Sequence, residues 1–399
     1  MSQKFLFITG IARGGTSLIG RMIDAHPRIS IAIDAYLPVF RSLRNALLAR
    51  ARSNDGFEPT LPLQDGHFSD RQLRWFDAVL AGDLSAPFDA AELPDLKERF
   101  RGRASDESGD LLPLIDKLGG ATYREFLANA LALIPAARPE KHAEWIGVKD
   151  LWIVDLFPAL ARGYPEARFV LILRDPRAII ASIHGYRPID PSQCAHTLSV
   201  LRHWRKAVAC GDAFATDPAL AGRFLVVRYE DVVRDPEFHG RNICKLMGVD
   251  FVPAMLDYDR LEDHATGRKW RGNSTFDDKL TDISTAPTER WRQKLPAETV
   301  RFIEFACDVD MRFAGYQPKY DTGELTGDPG ILSFLIKDNK EFASWRSDFQ
   351  DPQQDYGFEA FRRQALRIAD DGLDRDTIRR SFLFDAYYRK LSKLAGVKG

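Results

Sequence analysis

A chain of 399 residues with 45% hydrophobic content is long enough to bury one large or two ordinary cores, and too apolar to be disordered. Its formal net charge of −1 gives no bulk electrostatic drive toward nucleic acid or anionic membrane, so any basic site has to be local. The cysteines, Cys194, Cys210, Cys244 and Cys307, form no CxxC pair and have no clustered histidines beside them to complete a zinc site, so they read as buried thiols of a reducing compartment.

In chain order, Phe5, Leu6, Phe7 and Ile8 form a continuous apolar run ending at Gly10, the pattern of a buried parallel strand. Gly10, Gly14 and Gly15 then remove side chains where the backbone must turn and approach a ligand closely. Thr16 and Ser17 open a helix with an apolar face of Leu18, Ile19, Met22 and Ile23, and Pro27 ends it. A strand, a glycine turn and a helix N-terminus aim backbone N–H groups and a positive helix end at one point, which suits a phosphate or sulfate. The spacing Gly10-x-x-x-x-Gly15 is that of a Walker A loop, but Thr16 stands where the nucleotide-binding lysine belongs, and the loop's one cation is Arg13. The strand begins so early, with Arg13 and Arg21 close behind, that no signal peptide is expected. No apolar run reaches membrane-spanning length, so the expected location is cytoplasmic.

A short β-branched strand is predicted over 29–33, ending at Asp34, and a helix over 37–52. From about 53 to 143 the pattern changes to Pro- and Gly-punctuated helical pieces, including 70–80 and 123–133, with no convincing strand, as expected for a helical cap insertion spanning about 36–143. Strands resume at 145–148, followed by Lys149-Asp150 and a helix around 153–162, and at 168–173, followed by Arg174-Asp175-Pro176. Asp175 is a good N-cap and Pro176 a good first helical residue, so Arg174 falls at a strand's carboxyl end and Ser182 two turns into the next helix. A helix over 194–214, a strand over 224–228 running into Tyr229-Glu230-Asp231, a polar loop over 270–278 and helices over 289–294 and 297–311 complete the pattern. The β-then-α alternation predicts an α/β fold: a P-loop-type parallel sheet flanked by helices, occupying residues 1–320. Residues 321–399 form a helical C-terminal extension, with helices at 359–369 and 374–394. Its apolar positions Phe361, Leu366, Phe382, Phe384, Tyr387, Tyr388 and Leu391 must be covered by the core, the cap or a second subunit in a homodimer. Its arginines 362, 363, 367, 379, 380 and 389 read as a solvated opposite face or as a hold on an anionic acceptor.

The set Gly10-x-x-Arg13-Gly14-Gly15-Thr16-Ser17, Asp24-Ala25-His26-Pro27, Arg174-Asp175-Pro176-Arg177 with Ser182, and Tyr229-Glu230-Asp231 resembles the PAPS-dependent sulfotransferases, in particular the branch that includes the tyrosylprotein sulfotransferases. The resemblance runs from Lys4 to about Tyr316, interrupted by the insertion. It implies that Arg13, Gly14, Gly15, Thr16 and Ser17 hold the 5′-phosphosulfate of PAPS, that Arg174 and Ser182 hold its 3′-phosphate, that Tyr229 contacts the adenine side, and that Asn273, Ser274 and Arg290 add phosphate contacts. It also implies two catalytic groups. Asp34, seven residues past Pro27, stands where that branch carries a catalytic glutamate, and Lys149 where it has a lysine serving the leaving oxygen. Read from the residues alone, Asp34 is either that base or a helix cap, Lys149 either that lysine or a solvated one, and His26 either a base or, at the far end of the first helix from the loop, a capping or packing residue.

The function implied is sulfuryl transfer from PAPS, leaving PAP, to a small-molecule, glycan or peptide hydroxyl or to an amine. No metal is needed, because a sulfuryl group carries less charge than a phosphoryl group. The other classes kept open are a P-loop kinase, which would need Mg²⁺ and a loop lysine, and a non-catalytic nucleotide-binding module. No nucleic acid or membrane partner is expected.

Overall fold

In the computed structural model, which describes residues 4–52, 69–185, 196–272, 282–325, 327–341, 351–367 and 372–396, the first apolar run is strand β1 (Lys4–Gly10). Its side chains alternate between two cores, Leu6 and Ile8 entering one and Phe5 and Phe7 the other. Burial on both faces is what makes the run continuously apolar. A turn leads to α1 (Thr16–Asp24), which covers one face, and then to β2 (Ile29–Ile33). The chain next leaves the sheet for α2 (Leu37–Arg50), α3 (Asp70–Leu80), α4 (Leu93–Glu107), α5 (Tyr123–Leu131) and α6 (Leu133–Ala137). Among the described residues of this excursion the only strand-like pairing is an isolated bridge between Pro87 and Thr122. The helices seat Phe40, Phe100, Phe126 and Leu127 on the second core, with the Tyr36 ring set edge-on against Phe100 at 5.0 Å.

The chain returns through β3 (Trp145–Lys149), α7 (Phe157–Gly163), β4 (Arg168–Leu173), α8 (Pro176–His184), α9 (Thr197–Phe214) and β5 (Phe224–Arg228). Cys194, expected at the start of the ninth helix, lies outside the described residues. The sheet order is β2-β3-β1-β4-β5, with every pair parallel, so all five strands point their carboxyl ends the same way. Phe7 pairs with Val148 on one side and Phe169 on the other, which places β1 and the turn after it at the middle of that edge. This is the predicted α/β architecture.

Beyond the sheet come α10 (Tyr229–Arg234), α11 (Pro236–Met247), a two-residue ribbon of β6 (Glu262–Asp263) and β7 (Arg268–Lys269), α12 (Ala286–Glu289), α13 (Trp291–Lys294), α14 (Ala297–Phe313), α15 (Thr322–Leu325), α16 (Pro329–Glu341), α17 (Pro352–Ala365), α18 (Arg375–Phe382) and α19 (Asp385–Leu394). Three expectations for the extension need correction. The helix expected over 359–369 begins at Pro352, where Asp351 accepts the Gln353 N–H as a cap, and its Phe361 is exposed. The helix expected over 374–394 is broken at Leu383, whose φ of 67° turns the chain so that Phe382 before the break and Tyr387 and Leu391 after it are all buried. Arg362 and Arg363 do not lie on a solvated face. Arg362 is buried against Asp310 at 2.7 Å, and Arg363 against Asp308 at 3.1 Å. Arg379 and Arg380 pair with Asp77 and Asp70 of α3, so only Arg367 and Arg389 of the six are exposed as read.

Candidate active site

The turn after β1 is built by two residues in the left-handed region, Arg13 at φ 63° and Gly15 at φ 79°, and by the Gly14 N–H, which donates to the Ile11 carbonyl at 2.9 Å. A Cβ at Gly15 would stand 2.1 Å from the Tyr229 ring, so glycine is required there by the neighbour as well as by the dihedral. No side chain caps the start of α1, and its first turn has no acid, so the positive end of this helix favours an anion.

Each strand end delivers one group to this point. Asp34, directly after β2, adopts φ 54° and donates its N–H to the Lys149 carbonyl at 2.8 Å. Lys149, the last residue of β3, is fully buried, and its ammonium bonds both Asp34 Oδ2 and, at 3.2 Å, Ser17 Oγ. Arg174 follows β4. Its Nη1 donates to the Arg13 carbonyl at 2.8 Å and its Nη2 to the Pro287 carbonyl at 2.9 Å, while its Nε has no hydrogen-bond partner among the described residues. The guanidinium lies over the Tyr229 ring, 4.5 Å from its centroid. Arg13 Nε donates to Ser182 Oγ at 2.9 Å, so the residues expected at opposite ends of the donor touch each other here.

These groups line a cavity of about 180 Å³. Arg13, Gly15, Thr16, Ser17, Asp34, Lys149, Arg174, Ser182, Tyr229 and Arg290 all face it. Gly14 does not, and its part is the turn. Ser274 and Asn273 lie outside the described residues. Four cationic side chains (Arg13, Lys149, Arg174, Arg290) face two carboxylates (Asp34, Asp282), so the cavity favours an anion. The wall also contains Tyr258, Trp270 and Trp291, which carry no periodic signal in the sequence because they come from irregular segments and a short helix.

Three neighbouring acids and one histidine are struts. Glu230 accepts the Asp175 N–H at 3.0 Å and the Tyr316 hydroxyl at 2.9 Å, and its burial raises its pKa. Glu304 binds Arg177 at 2.6 Å and accepts the Lys319 and Tyr320 N–H groups, each at 2.8 Å. Asp24 accepts the Ile31 N–H at 2.7 Å. His26 joins the Asp250 carbonyl at 2.8 Å to the Arg28 N–H at 3.0 Å, the packing role read for it, and burial lowers its pKa. One acid was passed over in the sequence: Asp150, a fully buried neighbour of Lys149.

A sequence model of the sulfotransferase family matches residues 6–253, well over half the chain. The chain belongs to the sulfotransferase family. It is 22% identical to human carbohydrate sulfotransferase 6, covering 78% of this chain and 80% of that protein. It is 24% identical to zebrafish (Danio rerio) protein-tyrosine sulfotransferase 1, covering 79% and 73%. Against mouse carbohydrate sulfotransferase 3 the match, 25% identical, spans 48% of this chain and less than half, 42%, of that protein. Among solved structures, the sulfotransferase domain of the Synechococcus PCC 7002 olefin synthase aligns with 80% of this chain and 95% of its own, at 21% identity and a TM-score of 0.40. As a sulfotransferase the protein transfers sulfuryl groups, and the motif resemblance agrees with the family match. No helix among the described residues is long and apolar enough to cross a membrane, and no described cluster of side chains is fit to hold a metal.

Proposed function

We propose that this sulfotransferase takes its sulfuryl group from PAPS and passes it by in-line displacement to a hydroxyl, or an amine, of a small molecule, glycan or peptide. The observation that carries the reading is the Lys149 ammonium, which bonds Asp34 and Ser17 at once, joining a carboxylate base to the first turn of the anion-binding helix. The residues present fit a donor with an anionic group at each end: Arg174 gives its two described hydrogen bonds to carbonyls, its Nε has no hydrogen-bond partner among the described residues, and it is 8% exposed. A buried cation without a carboxylate partner is costly until an anion arrives.

PAPS would supply the sulfuryl group and, as leaving group, a phosphate. The 13–17 turn would hold that phosphate at the start of α1, with the Gly14 N–H shaping the turn through the Ile11 carbonyl, and Arg174, Ser182 and the adjoining Arg13 side chain would hold the 3′-phosphate. Tyr229 supports Arg174 from below. Lys149 would move from Asp34 toward the leaving oxygen as charge grows there. Asp34, released from that pair, would take the acceptor proton. The α2–α6 excursion lies beside Asp34 and would shape the acceptor site. A cytoplasmic location belongs to the same proposal, supported by three buried free cysteines, and cell fractionation checks it.

Labelled PAPS incubated with the purified protein and a panel of hydroxyl compounds tests the transfer. In parallel, PAP should raise the melting temperature far more than AMP, which lacks the 3′-phosphate. Equal shifts for the two, or a shift that requires Mg²⁺ and prefers ATP, would replace this reading with that of a kinase.

A further inference from the structure

The mechanism above uses Asp34 and Lys149 and leaves idle the acid beside them. Asp150 has no exposed surface, and its N–H donates to the Ile8 carbonyl at 3.0 Å, which anchors it to the end of β1. Its Oδ2 accepts the Tyr36 N–H at 2.8 Å, while its Oδ1 is buried with no hydrogen-bond partner among the described residues. Two residues before Tyr36 stands Asp34, in the left-handed region that few residues other than glycine occupy, aspartate among those that do. The dipeptide Lys149-Asp150 holds the turn there at three points: the Lys149 carbonyl takes the Asp34 N–H, the Lys149 ammonium binds Asp34 Oδ2, and the Asp150 carboxyl takes the Tyr36 N–H.

We propose that Asp150 is a positioning residue for sulfuryl transfer, holding the 34–36 turn in the left-handed form that presents Asp34 to Lys149 and to the acceptor. The inference rests on the reading of Asp34 as the base. It gives a purpose to a buried carboxyl that is otherwise an unexplained cost in a fold of this kind.

The charge state of Asp150 is part of the device. Burial first, and then the negative charge of Asp34, push its carboxyl up to about 7. Facing it are Asp34 and the buried Tyr36 phenol from the turn after β2, Lys149 from β3, and Arg103 from α4, whose charge favours the ionised form. On the far side of Asp34 stands Glu107, also from α4, whose pKa is raised by burial with Asp34 adding to the effect. Below about pH 7 Asp150 is protonated and neutral, and the Lys149 ammonium pairs with Asp34 alone. As pH rises through about 7, Asp150 ionises and competes with Asp34 for the ammonium, so turnover acquires an inflection there.

The experiment compares Asp150→Asn, Asp150→Ala and Asp34→Asn with wild type for PAP affinity and for kcat across pH. Asp150→Ala, which removes the acceptor for the Tyr36 N–H, should lose roughly tenfold or more in kcat with PAP affinity within about twofold. Asp150→Asn keeps an acceptor oxygen without the charge, so it should recover most of that loss at about pH 6, and its profile should lack the inflection near neutrality. An Asn profile superimposable on wild type, or an Ala variant with unchanged kcat, overturns the proposal. Loss of PAP affinity parallel to loss of kcat in both variants also overturns it, by making the role general packing. If Asp34→Asn stays active, the reading of the base fails instead, and that variant alone shows it.

Discussion

Asp34 and Lys149 lie 115 residues apart in sequence and meet because β2 and β3 are parallel neighbours in register, Ile33 beside Lys149. Parallel pairing puts both strand ends on one edge, so a residue just past one strand lies level with the last residue of the other. Asp34→Asn keeps the volume and removes the carboxylate proposed as the base, and should leave PAP affinity unchanged while turnover falls by on the order of 10² to 10⁴. Single-turnover kinetics alongside a PAP titration checks this, and a variant within a few-fold of wild type would reassign the base. Arg174 is held differently, by two carbonyls and the Tyr229 ring. Replacing it with alanine removes a charge-assisted contact worth about 1.5 to 3 kcal/mol, so calorimetric PAP affinity should drop roughly ten- to hundredfold. Ser182→Ala should cost less, because Arg13 and Arg174 remain. An unchanged PAP affinity in both variants would move the 3′-phosphate site elsewhere.

At the scale of elements, the C-terminal helices are fixed to the sheet domain by buried ion pairs as well as by aromatic packing. Arg362 of α17 meets Asp310 of α14 through both Nη groups, at 2.8 and 2.7 Å, and the Tyr387 hydroxyl of α19 donates to the same carboxylate at 2.8 Å. Glu359, also of α17, pairs with Arg202 and Arg205 of α9, and those charges hold its carboxyl down at about 2 in spite of its burial. Breaking one partner of such a pair leaves a buried charge uncompensated, at a cost of about 3 to 5 kcal/mol. Arg362→Met should therefore lower denaturant stability by that amount, and adding Asp310→Asn should recover part of it. An Arg362→Met protein as stable as wild type would show that the pair contributes nothing.

For the molecule as a whole, α14 ties the segment at Lys319 and Tyr320, where the C-terminal helices begin, to the donor side of the cavity. Glu304 links the Lys319 and Tyr320 N–H groups to Arg177, whose own carboxylate partner, Asp175, caps the helix that carries Ser182. Tyr387, Tyr388 and Leu391 are buried within the same chain, against the core. Truncation after Lys319 would expose that surface on α9 and α14 and strand Arg202 and Arg205 without Glu359. The truncated protein should be insoluble or aggregated when analysed by size exclusion. A soluble monomer that binds PAP and turns over normally would refute this.

The sequence by itself determined the strands, the order of the motifs and the loop, because each is written in short-range signals: an apolar run, a glycine where φ is positive, a proline at a helix start. It also carried the family, through four motifs in one order. Tertiary structure alone decided which charges are solvated, since Arg362 and Asp310 are 52 residues apart and no local period records that they meet. The same holds for Asp150. In sequence it is one more polar residue after a strand, and only the fold shows its carboxyl buried under the Asp34 turn, where burial first and a neighbouring charge second, rather than residue type, set its protonation. Arg13 and Ser182, 169 residues apart, belong by motif to opposite ends of one ligand, and the parallel pairing of β1 with β4 puts them in contact, because a side chain's partner is fixed by the packing of strands and helices and not by the motif that contains it.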